Sequence, residues 1–169
     1  LHVRSRRQRQ MCIRDSEEAQ QRSQVITAHS SKVLVDLSGR DPNGDPLGEP
    51  TETFVSSSTI QFSSTGGQSH LDLIADGVYA ADLDGTPLDP AAFSHNRFPF
   101  TTEPGTHEIT VTALCRYSHS GEGLHRFVDP ADGKVYLYTQ FEIADARRMY
   151  ADFEPVSYTH LTLPTTPYV

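Results

Sequence analysis

The run Tyr136-Leu137-Tyr138-Thr139-Gln140-Phe141-Glu142 sets an amide and a carboxylate two residues apart, beside two tyrosines. Side chains alternate between faces in an extended chain. Tyr136, Tyr138, Gln140 and Glu142 therefore share one side, opposite Val135, Leu137 and Phe141. A carboxylate at the mouth of such a strand can hold a substrate ammonium group through charge-assisted hydrogen bonds. The same spacing is also that of a solvated strand end, with Glu142 favoured by the dipole of a helix that follows.

Other chemistry is scarce. There is no H-E-x-x-H, no G-x-S-x-G, no phosphate-binding loop and no Cys-x-x-Cys. His119 and His125 flank Gly121-Glu122-Gly123 six residues apart, a spacing that points only loosely to metal. Cys115 falls on the apolar parity of its strand and reads as a buried thiol packing as a small hydrophobe.

The elements that must carry these residues read as an all-β protein. His107 to Tyr117 is the clearest strand: Ile109, Val111, Ala113, Cys115 and Tyr117 point one way, polar residues the other, and Leu114 is the single violation. Phe54, Ser56, Ser58, Ile60 and Phe62 share one parity, and Gly66-Gly67 is expected to end their strand. Leu71–Ala75 and Val78–Leu83 are expected to pair, and Asp84-Gly85 signals a hairpin because both residues tolerate positive φ. Asp129-Pro130-Ala131-Asp132-Gly133 is the turn of a second hairpin, between Leu124–Val128 and Lys134–Phe141. Val33, Val35 and Leu37 open the sheet, and Gly39 to Pro46 is an exposed loop. Ala144 to Tyr150 suits a short helix. The expected fold is an antiparallel β-sandwich or saddle of seven to nine strands with one short C-terminal helix.

Composition narrows the class further. The chain has 169 residues, 36% hydrophobic, with a formal charge of −8. That length suits one domain, and no apolar run is long enough for a spanning helix. The basic stretch from Arg4 to Gln10 resembles a nucleic-acid-binding arm, but DNA encoding residues 1–15, read as its reverse complement, specifies Val156 to Val169 in order and then a stop. Both ends therefore read as non-native, adapter-derived tails, residues 1–16 and 155–169. Without their five arginines and one aspartate, the 14 basic and 22 acidic residues become nine against 21, a formal charge of −12. A body this acidic repels phosphate backbones and suits cationic partners such as peptide amino termini. The domain then spans residues 17–154, of which 17–31 are expected to be a weakly ordered lead-in. A cytoplasmic location, with no nucleic-acid or membrane partner, is the accompanying expectation.

Three segments carry a resemblance. Gly-Glu-Gly-Leu-His-Arg-Phe at 121–127, Tyr-Leu-Tyr-Thr-Gln-Phe-Glu at 136–142 and Ala-Asp-Ala-Arg-Arg at 144–148 resemble the N-terminal domain of aminopeptidase N, a zinc-dependent gluzincin metallopeptidase. The similarity covers most of Ser31 to Glu154. It implies a saddle-shaped β domain packed on a catalytic domain that supplies the zinc ligands, so the fragment alone is expected to be inactive. It also implies substrate-binding roles: Gln140 would line the pocket for the first side chain of the substrate, and Glu142 would anchor the free α-amino group. Neither a catalytic nor a metal-binding residue is expected within the chain. Asp152 stands where the family usually has a cysteine. A non-catalytic β-sandwich protein-interaction module remains the competing expectation, because a fold does not fix a function.

Overall fold

A computed structural model describes residues 21–41, 43–142 and 145–153. Among the described residues, seven strands form two antiparallel sheets: β1 (Ile26–Asp36), β2 (Thr53–Asp72), β3 (Gly77–Leu83), β4 (Thr86–Leu88), β5 (Arg97–Arg116), β6 (Gly123–Val128) and β7 (Val135–Gln140). Five run in the order β1-β2-β5-β3-β4, and β6 pairs with β7. The all-β antiparallel expectation is met at its lower strand count. The stretches expected to be non-native tails, 1–16 and 155–169, lie outside the described residues, as do most of the residues before the first strand.

The period-two pattern builds the core directly. In the β2–β5 register Phe54 faces Cys115, Ser56 faces Ala113, Ser58 faces Val111 and Ile60 faces Ile109. Both apolar parities therefore land on one face, and β1 and β3 extend it with Ile26 and Ala81, also buried. Leu114 breaks the pattern for a reason. It points to the opposite face, buried there like its register partner Val55. The loop before β2 covers it, and a Cβ on Gly48 would come within 2.7 Å of the Leu114 Cδ1.

Three local expectations are corrected. The Gly66-Gly67 pair does not end its strand: β2 runs on to Asp72, with Gly66 omitted from the ladder between Thr65–Pro104 and Gly67–Thr102. Both glycines hold positive φ, at 94° and 112°, which only a residue without Cβ adopts readily. The consequence is a sharp bend. Phe62 and Phe100 lie seven register positions apart, roughly 23 Å along a straight strand, yet their ring centroids are 5.7 Å apart. Next, Leu71–Ala75 does not pair with Val78–Leu83, because β3 takes β5 and β4 as its neighbours. Finally, the stretch expected as a weakly ordered lead-in supplies the first half of β1. A helical turn at 21–25 precedes it, anchored by buried Arg22, which donates to the Asp72 carboxylate at 2.5 Å.

The turns behave as their residues dictate. Asp84 and Gly85, at φ 53° and 80°, close the two-residue hairpin between β3 and β4. At the tip of β6–β7 the Asp129 carboxylate accepts the Ala131 N–H at 2.8 Å, and its carbonyl accepts the Gly133 N–H at 2.8 Å. The expected C-terminal helix is a single 3-10 turn, Ala146–Arg148, shorter than Ala144–Tyr150.

Candidate functional site

β6 and β7 leave the main sheet as a ribbon whose base is tied to the end of β5. The Ser118 N–H donates to the Leu124 carbonyl at 2.8 Å, and the Arg126 N–H donates to the Ser118 carbonyl at 3.0 Å. Leu124 is buried in the core cluster, so the root of the ribbon is fixed while its outer length stands in solvent.

Gln140 ends β7 opposite Gly123, and Glu142 lies just beyond the strand; both are exposed. The Gln140 carboxamide oxygen accepts the backbone N–H of Glu142 at 3.2 Å, which fixes one residue relative to the other. Among the described residues the Glu142 carboxylate has no hydrogen bond or ion pair. Acceptor oxygens held at a strand end in this way can receive an ammonium group.

The segments at 121–127 and 145–148 meet at this end, a contact that the sequence alone does not specify. Arg148 Nε donates to Asp145 at 2.8 Å, and its guanidinium lies 4.0 Å from Glu122. A Cβ on Gly123 would sit 2.7 Å from that of Arg148, so the close approach of the 3-10 turn to the ribbon requires glycine there. Phe141 meets Tyr150 edge-on at 5.8 Å. The Gly-Glu-Gly stretch carried a signal for this approach, but its partner lies more than twenty residues away.

His125 stacks on Tyr138 at 4.6 Å between ring centroids, and His119 meets His125 edge-on at 6.4 Å. No group of three His, Cys, Asp or Glu side chains among the described residues is placed to hold a metal ion. Cys115 is fully buried, and burial pushes its thiol up to about 12, so it is no nucleophile at neutral pH. Asp152 is buried and pairs its backbone with Asp72 through bonds of 2.8 and 3.0 Å. No described helix is long and apolar enough to cross a membrane.

No protein-family profile matches the chain. Its fold resembles part of the Legionella pneumophila aminopeptidase A crystallised with aspartic acid, at a TM-score of 0.57 and 10% identity over 76% of this chain and 14% of that one. In sequence it is 42% identical over 142 residues to aminopeptidase N of Streptomyces lividans. The chain is thus related, over 82% of its length, to a stretch of an aminopeptidase N of which it spans 16%.

Proposed function

We propose that residues 17–154 form the N-terminal, substrate-side domain of a zinc metalloaminopeptidase that removes N-terminal residues from peptides, the tails at 1–16 and 155–169 being foreign to it. The observation that carries this reading is the 42% identity to an aminopeptidase N over 142 residues. The exposed amide and carboxylate at the end of β7 support it. Glu142 anchors the α-amino group of the peptide, and Gln140 lines the pocket for its first side chain. A carboxylate that fixes the charged leading end of the substrate explains cleavage from that end.

The described residues do not fit a zinc site, so the metal's ligands belong to the catalytic domain of the same polypeptide. Bound there, zinc would polarise the scissile carbonyl and activate water. The acidic body supports a peptide partner over a nucleic acid, and the free, buried thiol of Cys115 suits the reducing cytoplasm.

The test is a chimera in which residues 21–153 replace the matched stretch of the Streptomyces lividans aminopeptidase N. Glu142→Ala in that enzyme is expected to lower kcat/KM on aminoacyl substrates by more than tenfold. An unchanged value removes the anchor role. Longer source DNA supplies a second check: H-E-x-x-H with a later Glu downstream supports the enzyme, and another domain type there supports the interaction module.

A further inference from the structure

The five-stranded sheet has two unlike edges. The β4 edge is three residues long and carries Pro87, which has no N–H to offer a further strand. The β1 edge is 11 residues long. A bulge between Ala28 and Ser30 interrupts its first half, but from Ser30 to Asp36 the register with β2 is unbroken. Among the described residues no strand pairs with the outer side of that stretch. A regular strand edge left open in this way is a template for another strand.

The side chains along the edge select the partner. Lys32, Leu34 and Asp36 share the outer face of the sheet, opposite Val35, which packs against the core. Leu34 is 57% exposed, more than any other large apolar side chain among the described residues. The Lys32 ammonium forms no ion pair there. Asp36 takes its hydrogen bonds from Ser38 and Arg40 on Oδ1, which holds the carboxylate in place and leaves Oδ2 for a further donor. One cation, one apolar side chain and one anion thus follow each other at alternate positions.

We propose that β1 pairs antiparallel with β1 of a second copy of the chain about a two-fold axis at Leu34, joining two five-stranded sheets into one. Directly opposed residues of an antiparallel pair lie on the same face. A two-fold pairing that keeps both cores on one side must therefore be centred on a residue. Centred on Leu34, it sets Lys32 of each copy against Asp36 of the other, Leu34 against itself and Val33 against Val35. Centring on Val33 or Val35 instead loses both charge pairs, because Lys32 then faces Leu34 or Ser38. A strand complementary to its own reverse is what an isologous interface requires. The inference is independent of the aminopeptidase reading above.

Sedimentation equilibrium of the whole 169-residue chain tests the pairing. Its mass is expected to rise with concentration from 18.7 kDa toward twice that value across the micromolar range. Lys32→Glu sets like charges against each other at two places and is expected to weaken association by about tenfold or more. Circular dichroism checks that this variant stays folded. In a Cys12→Ser background, Leu34→Cys is expected to form a disulfide-linked dimer on oxidation, since opposed Cα atoms lie about 4.5–5.5 Å apart. Cys115 is buried and adds no background. Lys32→Cys should not crosslink, because the two copies of that position lie roughly 13 Å apart. A mass that stays at 18.7 kDa, association indifferent to Lys32→Glu, or crosslinking at position 32 as fast as at 34 would each overturn the pairing. So would a thiol at position 34 that, in the chimera, neither crosslinks nor reacts with a maleimide, for the rest of the enzyme would then cover the edge.

Discussion

His107 stands between two acceptors: its Nδ1 lies 2.6 Å from the Asp84 carboxylate, and its Nε2 lies 2.8 Å from the Glu103 carbonyl. Both nitrogens must donate to satisfy both partners, which is the doubly protonated imidazolium. The carboxylate hydrogen bond accordingly raises the His107 pKa and lowers that of Asp84. Asp84 also accepts the Glu108 N–H at 2.8 Å, so the pair pins the β3–β4 hairpin to β5.

The pH dependence follows from those directions. A raised histidine pKa gives stability that is complete below the unfolded value, about 6.5, and is lost as pH rises through the folded one. A depressed aspartate pKa gives stability that is complete above about 3.9 and is lost as pH falls through the folded value. The pair therefore stabilises most between about pH 4 and pH 6.5. Asp84→Asn keeps a residue tolerant of the positive φ at this turn. Melting temperatures measured against pH should show the variant furthest below the wild type inside that window. The gap should narrow above it, and a constant gap would remove the charge pairing from the account.

Phe153 closes the bend. Its ring lies 5.1 Å from that of Phe62 and 5.9 Å from that of Phe100, both edge-on, and it is fully buried. It fills the concave angle between the two halves of the β2–β5 ladder. Phe153→Ala should cost about 3–5 kcal/mol in urea unfolding, the range for deleting a buried aromatic side chain. A loss below about 1 kcal/mol would mean that the bend closes without it.

That bend marks where the sequence stopped being informative. Parity placed Ile109, Val111, Ala113 and Cys115 on the core face because period two is a local property of a half-buried strand. Gly66-Gly67 reads as a strand end, but a glycine pair can equally turn a strand, as it does here. The choice depends on Pro104-Gly105 lying opposite, about forty residues away. Ile26 to Ser31 escaped notice because β1 is an edge strand, with mostly exposed residues over that half and no apolar alternation. At the candidate site, the position of Gln140 and Glu142 at a strand end was legible. The Gly123–Arg148 approach that holds this end was not, because glycine shows where backbone can come close without showing what comes.

Ser56 and Ser58 occupy equivalent buried positions on β2 and should respond oppositely to the same change. The Ser58 hydroxyl accepts the Ala151 N–H at 3.1 Å, tethering the C-terminal segment inside the core. Ser58→Ala strands that buried N–H, at a cost of about 1–3 kcal/mol. The Ser56 hydroxyl is equally buried but has no hydrogen-bond partner among the described residues. Ser56→Ala removes a desolvated hydroxyl that nothing compensates, so its expected effect lies between neutral and about 1 kcal/mol stabilising. Chemical unfolding of the two variants under one set of conditions checks the contrast. Equal losses would mean that Ser56 has found a partner of its own, and the tether at Ser58 would no longer explain why serine stands in the middle of an apolar face.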